Sequence, residues 1–252
     1  MLKGAHMKNP VKEKLINNQL SLGGWLNLSS PMAAEIMAAS GYEWLAIDAE
    51  HSAFEINLMA DTFRAIEARG SVPFVRTWDQ NPVTLARILD AGAFGIIVPH
   101  VSTPEQAQAL VDAMRYPPVG HRSAGTGRIA VYGPDYRNAA NEEILIIPQI
   151  EDMEGINNTE AIMSVDGIDV GFLGPGDLSL AMGVERGHPD HEAAIQTFLA
   201  GCKSAGKPAG LPERDLEIVK KRIQEGFLFI DMASDLRTVE SGVQTALAEI
   251  RG

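Results

Sequence analysis

Short runs of apolar residues alternate with longer segments of helical periodicity along the chain. The apolar runs predict strands at 22–28, 44–50, 72–77, 95–100, 144–151, 169–174, 207–212 and 227–233. Several of these runs are almost continuously apolar, which is typical of parallel strands buried on both faces. Eight strand–helix units in 252 residues favour a single (β/α)8 barrel, the TIM barrel.

The segments between the strands carry recognisable helix ends. Ser30 and Pro31 provide an N-cap and a first-turn proline for a helix over 31–40, and a similar start precedes a helix over 104–114. A residue just past a helix must often tolerate positive φ, which favours glycine. The glycines in such positions are Gly41, Gly70, Gly92, Gly206 and Gly226.

An open, doubly wound sheet is the structural alternative to the barrel. Such a sheet usually carries a glycine-rich phosphate-binding turn directly after its first strand. Here Gly23 and Gly24 lie inside the first predicted strand, and no G-x-G-x-x-G or P-loop pattern follows it. Since no linker or low-complexity tract divides the chain, we predict one domain over 7–252, with residues 1–6 resembling an expression scar.

Composition narrows the choice of partners and compartment. The net charge of −12 repels phosphate backbones and anionic lipids, so neither nucleic acid nor a membrane surface is an expected partner. The single cysteine, Cys202, excludes an intrachain disulfide and fits a reducing compartment. The sequence has no apolar run near the ~18 residues of a membrane span and no hydrophobic core of a secretory signal, so we expect a cytoplasmic protein.

One connection is unusually long and rich in glycine and proline. It covers 117–141, and such structureless loops in compact domains are usually functional. We therefore favour a binding role for this loop. A solvated excursion that packs beside a neighbouring subunit is the alternative.

Polar side chains follow several of the predicted strands, at the end where barrel enzymes carry their chemistry. Because these residues belong to different strand–helix units, only closure of a barrel would bring them together. They are Asp48, Glu50, His51, Arg76, His100, Gln149, Glu151 and Asp177.

Glu151 and Asp177 follow adjacent predicted strands, so their carboxylates can converge on one cation. Two oxygen ligands, with the other positions left to water and substrate, are a common way to hold Mg²⁺ or Mn²⁺. The alternative is that each carboxylate caps a separate helix. No lysine follows a predicted strand at this end, which favours a metal over an imine as the electron sink.

Arg76 and His51 have both functional and structural interpretations. The Arg76 guanidinium can bind a substrate carboxylate with two hydrogen bonds, or it can form a structural salt bridge with Asp48 or Glu50. His51 has the side chain best suited to proton transfer near neutral pH, although a lone histidine is more often structural. For His100, the position at the end of a predicted strand is the only indication of a functional role.

Four motifs together resemble those of a known family. They are W-L-A-I-D-A-E-H (44–51), V-P-F-V-R (72–76), P-Q-I-E (148–151) and F-L-G-P-G-D-L-S (172–179). In order and spacing they are similar to the motifs of the HpcH/HpaI family of class II, metal-dependent pyruvate aldolases. The similarity runs from about residue 20 to residue 250. It implies a (β/α)8 barrel of the phosphoenolpyruvate/pyruvate-binding type.

The resemblance also implies roles for particular residues. Glu151 and Asp177 would bind the divalent metal, which would be Mg²⁺ or Mn²⁺, with Co²⁺ possible. Gln149, Gly176 and Asp177 would contact the oxo-acid, and Arg76 would hold the pyruvate carboxylate and stabilise the enolate charge. The long connection differs in sequence among members with different aldehydes, and here Arg122, Arg128 and Tyr132 would face the distal end of the substrate.

Two further roles concern proton transfer. The resemblance implies that His51 is the general base and that Asp90 raises its basicity. Asp90 lies near the C-terminus of a predicted helix, so its route to the catalytic face within one chain is unclear, and a structural i,i+4 contact is the alternative.

The activity implied is reversible cleavage of a 4-hydroxy-2-oxo acid into pyruvate and an aldehyde. Oxaloacetate decarboxylation, acyl-CoA lysis and a non-catalytic barrel are the alternatives. Family resemblance also implies a homo-oligomer, a trimer or hexamer, in which the C-terminal helix is exchanged between subunits. The segment 235–250 has the apolar stripe for such docking, although a helix that closes its own barrel would look the same.

Overall fold

The structure is a closed barrel of eight parallel strands in sequence order, which confirms the predicted fold. The computed structural model describes residues 7–252, and the predicted scar at 1–6 lies outside these residues. The strands are β1 (Ser21–Leu26), β2 (Trp44–Asp48), β3 (Val72–Arg76), β4 (Gly95–Val98), β5 (Leu145–Ile150), β6 (Gly171–Leu173), β7 (Ala209–Pro212) and β8 (Phe229–Ser234).

Helices surround the barrel and return the chain from the end of each strand to the start of the next. They are α1 (Pro10–Ile16), α2 (Pro31–Ala39), α3 (Ile56–Glu67), α4 (Pro82–Ala91), α5 (Pro104–Met114), α6 (Tyr136–Glu143), α7 (Met153–Met163), α8 (Pro175–Met182), α9 (Pro189–Ser204), α10 (Leu216–Glu225) and α11 (Asp235–Arg251). In the described residues no helix is both long and apolar enough to cross a membrane. Cys202 is buried in α9.

Aromatic rings fill the interior of the barrel. The Trp44 indole stacks on Phe229 with ring centroids 4.0 Å apart, and Trp25 stacks on Phe172 at 5.9 Å. Close backbone approach makes room for these rings, because a Cβ added at Gly23 in β1 would overlap the Trp44 indole. The large rings therefore fill the interior of the barrel between its strands.

Strand β1 is shorter than predicted. Its predicted range included Asn27 and Leu28, but the N–H groups of both residues donate to the Asp235 carboxylate, at 2.8 and 3.1 Å. These side-chain hydrogen bonds replace the next rungs of the sheet, so the strand ends at Leu26.

The connection after α5 is more ordered than a structureless loop. It contains a 3-10 helix at Arg128–Tyr132 and leads directly into α6. The Arg128 guanidinium hydrogen-bonds Glu67 and the Tyr132 hydroxyl, and that hydroxyl lies 2.8 Å from the Glu67 carboxylate. Side-chain hydrogen bonds hold these short helices in place. They therefore need no regular apolar periodicity, and the sequence pattern did not predict them.

Candidate active site

Arg76 lies at the C-terminal end of β3, held by two carboxylates from the end of β2. Its Nε and Nη2 donate to the two oxygens of Asp48, at 3.0 and 2.8 Å, and Nη1 lies 3.1 Å from Glu50. The register that pairs Asp48 with Arg76 sets this geometry. The structural salt bridge therefore forms with both candidate partners, while the guanidinium still lines a cavity at the barrel mouth.

The ring of Trp25 supports the same guanidinium from β1. The Arg76 Cζ lies 5.1 Å from the Trp25 ring centroid, which allows a cation–π contact. Asn27 completes the support by donating to Asp48 Oδ2 at 2.8 Å. Since these contacts fix the plane of the guanidinium, Arg76 is preorganised to bind an anion at the cavity.

Glu151 lies at the end of β5 with its carboxylate almost fully buried. One oxygen accepts from the backbone N–H of His100 at 2.9 Å, and the other accepts from the Gln149 amide. Burial raises the pKa of Glu151, and the nearby Asp177 carboxylate raises it further, whereas these hydrogen bonds lower it. A buried carboxylate beside a second carboxylate is stabilised by a cation.

Asp177 lies in the first turn of α8, directly after β6. The predicted alternative, in which Asp177 caps this helix, is wrong: the N-cap is Gly174, and among residues 7–252 no side chain caps the helix. First-turn N–H groups of a helix are free to bind an anion. Gly176 and Asp177 line the cavity, so this helix end faces the same space as Arg76.

The donor set at this edge fits a hard divalent cation. It offers the Glu151 and Asp177 carboxylates, and the Gln149 amide oxygen beside them is buried without a hydrogen-bond partner among residues 7–252. Oxygen ligands of this kind suit Mg²⁺ or Mn²⁺. The part of the chain that the structure describes has no group of three or more His, Cys, Asp and Glu side chains that could hold a metal. Water or substrate would therefore complete the shell.

Two histidines lie at the rim of the site, both with largely exposed side chains. His51 Nε2 lies 3.8 Å from Glu50, and its backbone N–H donates to Asp48 at 3.3 Å. His100 is closer to the carboxylates, with Nδ1 3.0 Å from Glu151 and Nε2 3.4 Å from Glu50. Its left-handed backbone, with φ of 58°, directs its N–H to Glu151. His100 therefore has contacts with the carboxylates of the site, which its position in the sequence alone did not indicate.

Asp90 is not brought together with the other candidate residues within this chain. It lies in the last turn of α4, and helices of this fold end at the face opposite the catalytic edge. Its carboxylate pairs with Arg122 at 2.7 Å. Arg128 and Tyr132 contact Glu67 and Gly92, at the ends of α3 and α4, so these loop side chains do not face the cavity of their own chain.

One group of residues that line the cavity was not predicted from the sequence. Arg214 follows β7, so it could have been predicted in the same way as the other polar residues that follow strands. Asp231 was included in an apolar strand, although a carboxylate inside a buried strand is itself a functional signal. Arg186, between α8 and α9, has no such signal.

Comparison with known proteins places this geometry in a family. The profile of the family described as HpcH/HpaI aldolase/citrate lyase matches residues 21–242. A 2-keto-3-deoxy-L-rhamnonate aldolase of Klebsiella pneumoniae is 36% identical, with 97% of this chain and 94% of that protein covered. A 5-keto-4-deoxy-D-glucarate aldolase of Salmonella arizonae is 34% identical, with 96% and 97% covered.

A solved structure agrees with both sequence relatives. The crystal structure of an HpcH/HpaI aldolase/citrate lyase family protein from Burkholderia cenocepacia superposes with a TM-score of 0.93 at 34% identity, and 97% of this chain and 100% of that chain are covered. The chain therefore belongs to the HpcH/HpaI aldolase/citrate lyase family. Its named sequence relatives are aldolases, which are carbon–carbon lyases.

Proposed function

We propose that the protein is a divalent-metal-dependent aldolase that reversibly cleaves a 4-hydroxy-2-oxo acid into pyruvate and an aldehyde. The observation that carries the proposal is the buried Glu151 carboxylate. Asp177 lies near it, and so does the Gln149 amide oxygen, which has no hydrogen-bond partner among residues 7–252. A cation here would satisfy all three groups. Magnesium and manganese fit the oxygen donors best, and Co²⁺ remains a candidate.

Pyruvate has two anion-binding groups available in the same cavity. The first-turn N–H groups of α8, at Gly176 and Asp177, suit a carboxylate. Arg76 lines the same cavity and suits the oxygen on which negative charge develops. When bound, the divalent cation acts as a Lewis acid that withdraws charge from the 2-oxo group.

His51 is the proposed general base. It takes a proton from the pyruvate methyl group, and the resulting carbanion carbon bonds to the aldehyde carbon. The aldehyde oxygen takes up a proton from water, and His51 returns its own proton to water. Cleavage follows the same steps in reverse. Arg76 stabilises charge only while it is on the oxygen, so its contribution is specific to the transition state.

Asp90 can raise the basicity of His51 only if the two residues belong to different subunits. Within one chain it pairs with Arg122 at the far end of α4, so any influence on His51 requires the Asp90 of a neighbouring subunit. The structural alternative for Asp90 is its salt bridge with Arg122. Arg122 lies in the long connection after α5, so this contact is not the predicted i,i+4 contact within α4.

The outer surface of α11 supports a homo-oligomer, a trimer or a hexamer. Its large apolar side chains are exposed and repeat at helical spacing, which would bury them against a second copy. They are Leu236, Val239, Val243, Leu247 and Ile250. We retain the cytoplasm as the proposed compartment.

A cleavage assay tests the proposed function. The protein is given 2-keto-3-deoxy-L-rhamnonate or 5-keto-4-deoxy-D-glucarate, and released pyruvate is followed with lactate dehydrogenase. We expect release with added Mg²⁺ or Mn²⁺, loss of release after chelation, and a loss of about 10²-fold or more in Glu151→Gln, because a metal ligand is removed. Undiminished release from chelated protein would contradict metal dependence.

A further inference from the structure

A buried histidine hydrogen-bonds the helix that carries Asp177. His191 lies in the first turn of α9, and only 2% of its surface is exposed. Its Nε2 lies 2.9 Å from the backbone carbonyl oxygen of Pro175, the first residue of α8. A carbonyl oxygen only accepts hydrogen bonds, so Nε2 must carry a proton and donate it. The other ring nitrogen, Nδ1, is buried without a hydrogen-bond partner among residues 7–252.

The local sequence fixes the backbone from which His191 extends. Pro189 begins α9, and the His188 side chain caps this helix by accepting a hydrogen bond from the Asp190 N–H at 3.2 Å. A first-turn proline and a side-chain cap both stabilise the start of a helix. The imidazole of His191 therefore extends from an ordered turn.

Helix α8 needs contacts from outside to hold its position. It has eight residues, and a helix of this length has little stability of its own. Its N-cap is Gly174, which offers no side-chain cap. Within residues 7–252, His191 is the one residue outside α8 whose side chain hydrogen-bonds this helix.

Packing restrains the start of α8 incompletely. Pro175 lines the cavity at the barrel mouth, and it also lines a second cavity of about 300 Å³. His191, Ile195 and Leu211 line this second cavity together with it. Because Pro175 borders space in both cavities, the hydrogen bond from His191 restrains the first turn where close packing does not.

The position of the Asp177 carboxylate depends on this turn. The Glu151 carboxylate is held by hydrogen bonds from the His100 N–H and the Gln149 amide. Asp177 is exposed, and its carboxylate accepts no comparable hydrogen bond within residues 7–252. Its place beside Glu151 is therefore set by the backbone of α8, two residues after Pro175.

We propose that His191 is a positioning residue for the metal site. Its hydrogen bond to Pro175 holds the first turn of α8, and with it Asp177, in place beside Glu151. This inference rests on the proposed function. His191 acts through the backbone and not by contact with the cation or the substrate. Loss of a side chain that orients a metal ligand costs about 10- to 100-fold in metal affinity or activity.

Binding of Mn²⁺ tests the inference without an activity assay. Free Mn²⁺ is measured by electron paramagnetic resonance while the metal is titrated into the protein, which gives the Kd. Glutamine places an amide N–H near the position of the His191 Nε2, whereas methionine has a similar volume and no donor. We expect His191→Met to raise the Kd about tenfold and His191→Gln to stay within about threefold of wild type.

Two further variants exclude a general loss of stability. His188→Met removes the side-chain cap of α9 but leaves the hydrogen bond to Pro175, so it should destabilise the same helix and keep the wild-type Kd. His191→Asn is polar, but its amide is too short to reach Pro175. It should bind Mn²⁺ as weakly as His191→Met, and it keeps the test valid if His191→Met folds poorly.

A wild-type Kd in His191→Met or His191→Asn would overturn the inference, and so would a Kd in His191→Gln as high as that in His191→Met. Glu151→Gln separates the two proposals, because it removes a proposed metal ligand. If Glu151→Gln weakens Mn²⁺ binding and the His191 variants do not, the positioning role alone is refuted. If the wild-type protein does not bind Mn²⁺, the proposed function fails and this inference fails with it.

Discussion

The contacts of Arg76 depend on the planar shape of its guanidinium group as well as on its charge. Its three nitrogens contact Asp48 and Glu50, and the ring of Trp25 lies against the guanidinium. A lysine retains the positive charge but has one nitrogen and no planar fork. The buried Asp48 carboxylate would then lose part of its pairing.

The first prediction concerns Arg76→Lys. We expect kcat/KM for aldol addition to fall by about 10²-fold or more, because the donor aimed at the developing charge is misplaced. Steady-state kinetics measures the loss, and Arg64→Lys on the surface of α3 is the matched control. Near wild-type kcat/KM in Arg76→Lys would show that charge alone suffices.

Glu192 provides a pH-dependent contribution to stability. The largest cause is Arg222, which donates to Glu192 at 2.6 Å, and Lys221 also pairs with the carboxylate. Together they outweigh the effect of partial burial and lower the Glu192 pKa to about 2. Because the folded pKa is below the ordinary value of 4.5, the stabilisation is fully present above that pH. It is lost as the pH falls from 4.5 towards 2.

The second prediction is therefore that Glu192→Gln is less stable than wild type at neutral pH and matches it near the acid end. We expect a difference of about 1 kcal/mol at neutral pH, since the pair is partly exposed and screened. Urea unfolding across the pH range measures it. Glu217→Gln, in an exposed pair with Lys220, should change stability by less than about 0.5 kcal/mol. A difference that does not depend on pH would contradict the assignment.

At the scale of elements, β1 is adapted to the aromatic interior of the barrel. Gly23 lies against the Trp44 indole, and the pairing of β1 with β8 shifts in register between Gly23 and Gly24. A glycine inside a strand indicates a bulge or a close approach, but the sequence does not show which ring lies opposite. The strand could be predicted, whereas the reason for its glycines required the closed barrel.

The third prediction is that Gly23→Ala destabilises the protein by about 1–3 kcal/mol, because the new methyl group must displace Trp44. Denaturant unfolding measures the change. Gly242→Ala in α11 is the control: its Cβ would meet none of the described residues, and alanine favours a helix over glycine. An unchanged free energy of unfolding in Gly23→Ala would show that the interior tolerates the extra volume.

At the scale of the whole molecule, α11 leaves an apolar stripe exposed to solvent. Its buried residue is Asp235, at the first position, so the rest of the helix adds little to the core of its own chain. An exposed apolar stripe of this length is typical of an interface. The alternative prediction, that the helix closes its own barrel, has little support in this packing.

The fourth prediction is that Val243→Asp, in the middle of this stripe, shifts the protein towards monomers. A charge buried in an apolar interface is costly, so association should weaken. Light scattering coupled to size exclusion measures the mass. Thr245→Asp, on the opposite side of α11, should leave the assembly intact. An unchanged oligomer in Val243→Asp would place the interface elsewhere.

Most of the candidate site could be predicted from the sequence, because closure of the barrel brings the residues that follow its strands to one edge. Asp48, Arg76, Glu151 and Asp177 meet at one edge for this reason. The loop after α5 and Asp90 could not be placed this way. Their positions depend on side-chain pairs such as Arg122 with Asp90, which follow no periodicity in the sequence.

The central claim is that the carboxylates of Glu151 and Asp177 hold a cation that acidifies bound pyruvate. The most direct measurement follows the pyruvate methyl signal by NMR in D₂O with no aldehyde present. We predict exchange with Mg²⁺ or Mn²⁺ that stops on chelation and is lost in Glu151→Ala and His51→Ala. Methyl protons that stay unexchanged in the metal-saturated wild-type protein would contradict the claim.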